Sequence, residues 1–233
     1  TGAEPNATAE KIGSMVPSLV TVRDDIAIEW ATAYNRAHRY DEAIRVLEGH
    51  DFIPCEGGET ALAKQYIAAW YGKGIDLRAA GKDAEALEAF RRAEVLPESL
   101  GAGLWHMATI VPAQYEEALL LEKAGDRDAA FKIYDYFNTL YVDFFSNMNL
   151  PLLPVYQALG DIRMGKTDEA KALLEKAIAG WKFERERHDS GYFGTTPFFI
   201  SYMDDPHTAR VKNYDALIAT AEAVLDGTSE LLK

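Results

Sequence analysis

A helical hairpin that recurs along the chain is the feature that most constrains its fold. In the stretch from Leu77 to Pro97, Gly81 is followed by Ala86, Phe90 and Ala93 at offsets of five, nine and twelve residues. The glycine ends one helix, and the proline ends the next because it cannot continue the hydrogen-bond ladder. The first alanine lets two helices approach closely, and the aromatic residue and second alanine share the inner face. The stretch therefore predicts two packed helices joined by a tight turn.

The same offsets return elsewhere in the chain. Two later copies and one weaker earlier copy are Gly125, Ala130, Tyr134, Phe137; Gly165, Ala170, Leu174, Ala177; and His38, Ala43, Leu47. The alanines of the four copies are 43, 44 and 40 residues apart, whereas a tetratricopeptide (TPR) hairpin repeats about every 34 residues. Stacked hairpins of this kind form solenoids. We therefore predict an all-α fold, an α-solenoid of about four TPR-like helical hairpins plus a C-terminal capping helix.

Prolines and acidic residues predict where individual helices begin and end. We expect a short first helix from Ala9 to Val20, a second beginning at Asp24, and others beginning at Glu59, Pro112, near Pro154, at Thr167 and at about His207. The last of these is expected to use Tyr214, Leu217, Ile218 and Leu225 on one face. An aromatic stripe at helical spacing is interpreted as core, not as a cofactor site: Phe131, Tyr134, Phe137, Tyr141 and Phe144.

Length and composition favour one domain. The chain has 233 residues and 48% hydrophobic content, which is enough to bury a continuous core, and a stacked array needs no internal boundary. We predict a single domain over residues 1–233, with 1–8 as a frayed lead-in. The single cysteine, Cys55, permits no internal disulfide and fits a reducing compartment, so we expect a cytoplasmic location.

Charge argues against two classes of partner. Lys and Arg total 24 against 37 Asp and Glu, giving a formal net charge of −13. Such a surface repels phosphate backbones and anionic lipids, so nucleic acid is not expected as a partner. No apolar run approaches the length of a membrane span, and the first residues resemble no signal peptide. We therefore expect no membrane association.

Three insertions interrupt the repeat, at residues 50–58, 97–111 and 188–206. All three connect one hairpin to the next, so we expect them to meet at one edge of the stack. Their polar and aromatic residues would there form a pocket suited to a sugar, because carboxylates beside flat rings bind hydroxyl groups and pyranose faces. The candidate ligand-binding residues are His50, Glu56, Gly57, Gly58, Glu59, Trp105, His106, Tyr192, Asp204 and Asp205.

Several of these candidates have a structural explanation that remains open. Glu59 is placed to stabilise the start of its own helix, and Asp204 and Asp205 precede another helix start. Gly57 and Gly58 supply backbone freedom for an entry turn. A paired-carboxylate glycosidase, with Glu56 or Glu59 opposite Asp204 or Asp205, is a further alternative. His106 is explained as an ordinary loop histidine. Catalytic residues are therefore left unknown.

Neither a metal site nor a cofactor is expected. The five histidines, at positions 38, 50, 106, 188 and 207, have none of the spacings typical of zinc sites. The chain also lacks a glycine-rich phosphate loop and a serine nucleophile elbow.

Four segments resemble a group of bacterial proteins of unassigned function. They are VRDDIAIEW from Val22, RYDEAIRVLEGHDFIPCEGGE from Arg39, LPESLGAG from Leu96, and GYFGTTPFFISYMDDPHTAR from Gly191. In the long members of that group, a β-sandwich similar to galactose mutarotase precedes tetratricopeptide hairpins. The resemblance implies a carbohydrate context and assigns no reaction to the helical part. Because the chain has no room for the sandwich, we expect either a fragment or a free-standing version.

Together these observations favour a non-catalytic interaction module in a carbohydrate-related bacterial system. Solenoids offer extended binding surfaces, so we expect a protein partner or a homodimer. The alternative is a sugar-binding or sugar-processing protein that uses the edge formed by loops 50–58, 97–111 and 188–206. The sequence does not decide whether the chain is an enzyme, and it names no ligand.

Overall fold

The computed structural model describes residues 4–15, 23–53, 59–101, 107–141, 150–189 and 206–232. Within these ranges the chain forms ten α-helices and three short 3₁₀ turns, without a strand. Helices that follow one another in the chain pack together in several places, for example Glu59–Ala79 with Asp83–Ala93 and Thr167–Asp189 with Pro206–Leu225. The predicted all-α helical-repeat fold is therefore confirmed.

The chain divides into two compact units, residues 1–130 and 131–233. The first contains α1 Pro5–Met15, α2 Asp24–Arg36, α3 Tyr40–Glu48, α4 Glu59–Ala79, α5 Asp83–Ala93 and α6 Val111–Lys123. The second contains most of α7 Arg127–Phe137, then α8 Leu153–Arg163, α9 Thr167–Asp189 and α10 Pro206–Leu225. The single domain proposed from the sequence stays a prediction.

The first helix begins earlier than expected. It starts at Pro5 instead of Ala9, because Glu4 caps it: the Glu4 carboxylate accepts hydrogen bonds from the backbone N–H groups of Asn6 at 3.0 Å and Ala7 at 2.6 Å. Proline suits the first helical position because its missing N–H would have no partner there. Part of the predicted lead-in is therefore helix.

The position of the recurring glycine has the same role in all four copies of the hairpin. At each turn the backbone N–H one residue after the glycine position donates to a carbonyl five residues earlier, which is the Schellman pattern that satisfies the end of a helix. The four bonds are Arg39 to Tyr34 at 3.0 Å, Lys82 to Leu77 at 2.9 Å, Asp126 to Leu121 at 2.9 Å and Lys166 to Asp161 at 2.8 Å. This turn requires a residue with positive φ, and Gly81, Gly125 and Gly165 have φ of 74°, 90° and 82°.

The alanines of the repeat lie at helix contacts, as the offsets predict. Ala43, Ala86 and Ala130 have no exposed surface, and Ala170 is 1% exposed. Within the first unit, one apolar core is formed by residues of α1, α2, α3 and α4. A second core is formed by residues of α4, α5 and α6 around Phe90. Within the second unit, α9 packs against both α8 and α10. The small side chains therefore set the spacing of these hairpins.

In the first hairpin a histidine takes the place of the glycine. His38 has φ of 56°, and it is the single residue other than glycine with positive φ in the ranges described. A β-carbon in this conformation is unfavourable by about 1 kcal/mol. The first copy therefore matches the repeat less well because histidine replaces glycine at the turn. The geometry of the turn is the same as in the other copies.

We expect His38→Gly to raise the free energy of unfolding by about 0.5–1 kcal/mol, because it relieves this strain. The measurement is urea unfolding followed by circular dichroism. The control is Glu29→Gly, at an exposed position in the middle of α2, where glycine should lower the free energy of unfolding by about 1 kcal/mol. A loss of stability in both variants would contradict the equivalence of His38 with the repeat glycines.

Two apolar faces differ from the expected pattern. Tyr134 and Phe137 are fully buried, as the aromatic stripe predicts, but Tyr141 is 86% exposed because α7 ends at Phe137. Phe144 lies outside the described residues. In α10 the buried side chains are Ile218, Ala221 and Val224, whereas Leu225 is 37% exposed.

None of the helices in the described ranges combines the length and apolar character needed to cross a membrane.

Candidate functional site

Most of the residues chosen from the sequence lie outside the part of the chain that the structure describes. These are Glu56, Gly57, Gly58, Trp105, His106, Tyr192, Asp204 and Asp205. Glu59 is described only by its backbone, which begins α4 as expected. His50 alone has a described side chain, so the pocket proposed at three loops stays a prediction.

His50 connects the first insertion to the start of α2. Its Nε2 lies 2.7 Å from Oδ1 of Asp24, and its side chain is only 10% exposed. The other oxygen of the same carboxylate accepts a hydrogen bond from the backbone N–H of Ile53 at 2.9 Å. Asp24 therefore holds both ends of residues 50–53. This is a structural role for a residue that the sequence indicates as a ligand contact.

The described parts of the first two insertions lie side by side. The backbone N–H of Phe52 donates to the carbonyl oxygen of Ser99 at 2.9 Å. Phe52 is buried, and its ring meets the edge of the His50 ring with centroids 4.4 Å apart. Residues 52 and 99 of the insertions 50–58 and 97–111 are therefore in contact, and the meeting of all three insertions at one edge stays a prediction.

Beside this connection, α2 and α3 enclose an open groove of about 300 Å³. It is lined by Trp30, Tyr34, Glu42, Arg45, Val46, Gly49 and His50. The groove combines two aromatic rings, one acidic and one basic side chain, and a histidine. We take this groove as the candidate functional site, and we call it the α2–α3 groove.

The aromatic wall of the groove is held in place by α1. The Trp30 indole N–H donates to the carbonyl oxygen of Ala9 at 3.0 Å, and the rings of Trp30 and Tyr34 have centroids 5.5 Å apart. Gly13 allows close contact, because a β-carbon there would lie 2.9 Å from the Trp30 ring. The indole is therefore fixed before any ligand arrives.

Arg39 supports the opposite side of the same wall. Its guanidinium lies over the Tyr34 ring, 4.8 Å from the centroid. It also pairs with Glu10 of α1 and, at 2.8 Å, with Glu42 of α3. The hydrogen bonds that Arg39 donates to these two carboxylates raise the pKa of Arg39, which therefore remains a cation. Glu42 is thus occupied by a structural ion pair even though it lines the groove.

Arg45 supplies the positive charge that the groove can offer to a ligand. Its Nε donates to the backbone carbonyl of Asp41 at 3.3 Å, and no carboxylate in the described ranges forms an ion pair with it. The side chain is exposed at the rim. Because the guanidinium presents a planar set of donors, it suits a carboxylate or another oxygen-rich group.

Metal chemistry finds no support among the side chains that are described. No group of three or more His, Cys, Asp or Glu residues there is placed to hold a metal ion. The histidine and the two carboxylates nearest the groove are instead bound to each other, to the backbone or to Arg39. Their hydrogen-bonding capacity is therefore used within the chain.

The sequence interpretation missed five of the side chains that line the groove. Trp30, Tyr34 and Val46 follow helical spacing and were assigned to core packing or given no role. Glu42 and Arg45 resembled ordinary solvent-facing charges. One sequence signal was available: His50 stands twelve residues after His38, a position occupied by Ala93, Phe137 and Ala177 in the other copies. A polar residue there marks this hairpin as different.

Comparison of the chain with protein-family models, curated proteins and solved structures found no match.

Proposed function

We propose that this chain is a non-catalytic helical-repeat interaction module that holds a partner protein segment in the α2–α3 groove. The observation that carries the proposal is the division of roles in that groove. Trp30 and Tyr34 are fixed by contacts within the chain, whereas Arg45 keeps its guanidinium for a ligand. A rigid aromatic wall with one available cation can bind a protein segment, and such binding involves no chemical reaction.

The chemistry of the groove indicates the kind of segment it takes. An apolar side chain would pack on Trp30 and Val46, and a neighbouring carboxylate would pair with Arg45. Rigid aromatic groups and arginine contribute most to such contacts because little side-chain freedom is lost on binding. The groove of about 300 Å³ suits a few residues of an extended peptide. The carbohydrate-related bacterial context rests on the sequence resemblance alone, the TPR-like assignment rests on the repeat offsets, and both are part of the proposal.

A sugar is the second candidate ligand. The Trp30 ring, Glu42 and Arg45 line the same groove, and aromatic faces beside polar side chains suit pyranose rings and their hydroxyl groups. In this alternative, Glu56, which the sequence predicts as a ligand contact, would contribute a further carboxylate. We place it second because Glu42 is already paired with Arg39.

The test is a parallel screen of the full chain against a displayed library of twelve-residue peptides and against a glycan array. We expect enrichment of peptides that carry Asp or Glu next to an apolar residue. For a selected peptide, Arg45→Glu should weaken binding at least about tenfold, because it replaces attraction with repulsion. Isothermal titration calorimetry measures this difference.

A matched control separates local from general electrostatics. Arg210→Glu makes the same charge change at an exposed position of α10, so it should leave peptide affinity within about twofold. Equal losses in both variants would mean that binding follows net charge and does not use the groove. Glycan binding without peptide binding would favour the second candidate.

A further inference from the structure

The glycine in the middle of α9 has no explanation within the described chain. Gly180 lies inside a helix of 23 residues, where glycine is less favourable than alanine because it loses more backbone freedom. A β-carbon at this position would meet no atom within 4 Å among the residues described. By contrast, Gly74 and Gly160 lie against the rings or backbone of Phe90 and Tyr134. The small residue at 180 therefore suits a close approach from outside the chain.

Gly180 lies in a groove with apolar lining. The groove has a volume of about 360 Å³ and is formed by one face of α9 and Pro154 of α8. Leu173, Ala177, Gly180 and Glu184 lie on this face because they are spaced by four, three and four residues. Phe183 stands at its side with 59% of its surface exposed. Large exposed aromatic side chains beside an apolar groove are typical of a docking surface.

The face of α9 is complementary to itself about Gly180. Lys176 precedes the glycine by four residues and Glu184 follows it by four, while Ala177 and Phe183 are three residues away on either side. When two such helices cross antiparallel at the glycine, each lysine faces the glutamate of the other helix. Each Phe183 then faces the small Ala177 of the other helix. A surface that matches its own copy in this way fits a two-fold interface.

We propose that this face of α9 binds a second copy of the chain, forming a two-fold dimer in which the α9 helices cross at Gly180. The two helix backbones can come into close contact at Gly180 because glycine has no side chain. The exposed Phe183 ring is buried in the partner's groove. The two Lys176–Glu184 pairs fix the antiparallel direction, since a parallel arrangement would place like charges together. Glu184 already pairs with Arg187 at 2.9 Å, which orients its carboxylate.

The first test measures the mass of the full chain by sedimentation equilibrium over a range of concentrations. We expect reversible dimers in the micromolar range, and Gly180→Leu should weaken dimerisation at least about tenfold by blocking the close approach. The control is Ala179→Leu, which adds the same side chain at an adjacent exposed position that is not in the groove. A chain that stays monomeric at 100 micromolar concentration, on the order of the weakest stable dimers, would overturn the proposal.

Substitution of Gly180 distinguishes the proposed dimer contact from a structural role within the monomer. The two explanations predict opposite changes in the stability of the monomer. Because the position is open, Gly180→Ala should raise the melting temperature of the monomer, measured at low concentration, by about 2–4 °C. A fall in that temperature would mean that the glycine serves the monomer, contrary to the proposal.

Charge reversal tests the direction of the helices. Lys176→Glu and Glu184→Lys should each weaken the dimer by about tenfold, because each places like charges opposite one another. The double variant should recover most of the original affinity. If the double variant is as weak as the single variants, the antiparallel crossing at Gly180 is wrong.

Discussion

Replacing Gly74 by alanine is expected to lower the free energy of unfolding by about 2–3 kcal/mol, although alanine is the better helix former. A β-carbon at this position of α4 would contact Cε1 of Phe90 and lie 2.6 Å from its Cδ1 and 2.9 Å from its Cζ. The Phe90 ring has no exposed surface and belongs to the core shared by α4, α5 and α6. The ring cannot rotate away, so the two helices must separate. Urea unfolding at neutral pH measures the loss.

Two further variants test this explanation. Phe90→Leu removes part of the ring, so the double variant Gly74→Ala/Phe90→Leu should lose at least about 1 kcal/mol less than the two single losses added together. Gly180→Ala makes the same substitution in α9 where no atom is near, and it should stabilise the monomer. Additive losses in the double variant would show that Gly74 acts through something other than its contact with Phe90.

The repeat register could be predicted because each part of it has a local cause. Gly81, Gly125 and Gly165 are required by positive φ, and the alanines five residues later are required by helix contact. Even His38 was placed correctly, since its offsets to Ala43 and Leu47 remain visible without the glycine.

Other features depend on long-range packing that periodicity does not contain. Helical spacing continues beyond Phe137 to Tyr141, but spacing cannot tell where a helix ends, and Tyr141 is exposed. Trp30 has the spacing of a core residue, yet it forms a groove wall because α1 holds its indole from one side. The three-loop site stays a prediction, since most of its residues lie outside the described ranges.

Two neighbouring carboxyl groups, those of Glu94 and Glu117, lie at the interface between α5 and α6. The sequence does not predict this pair. Glu94 caps the end of α5, and its Oε2 accepts a hydrogen bond from Nε2 of Gln114 at 3.0 Å. Its other oxygen is buried and has no hydrogen-bond donor among the residues described. Burial, with a further contribution from the neighbouring Glu117 carboxyl group, raises the pKa of Glu94 from 4.5 to about 7.

The direction of the pH effect follows from this raised pKa. In the unfolded chain Glu94 loses its proton near pH 4.5, whereas in the folded chain it keeps the proton to about pH 7. Stability is therefore highest when both states bind the proton, below about pH 4.5, and it declines progressively until the pH reaches about 7. A fully buried group with this pKa would correspond to about 3 kcal/mol. Glu94 retains some exposure, so we expect about 2 kcal/mol.

We therefore expect Glu94→Gln to leave stability nearly unchanged at pH 5 and to raise the free energy of unfolding by about 2 kcal/mol at pH 8. Glutamine keeps the shape and hydrogen-bonding capacity of the protonated acid without acquiring charge. Urea unfolding at several pH values gives the difference between the two proteins. The control is Glu98→Gln, which removes one charge at an exposed position and should give a difference that does not depend on pH in this range.

Substitution of the neighbouring Glu117 provides the most direct test of this explanation. Glu117 is 7% exposed, accepts a hydrogen bond from Nε of Arg91 at 2.8 Å, and contributes to the raised pKa of Glu94. Glu117→Gln removes the neighbouring negative charge, and the pH at which stability declines should then move below 7. If that midpoint stays the same after Glu117→Gln, burial alone accounts for the titration of Glu94 and the two carboxyl groups are not coupled.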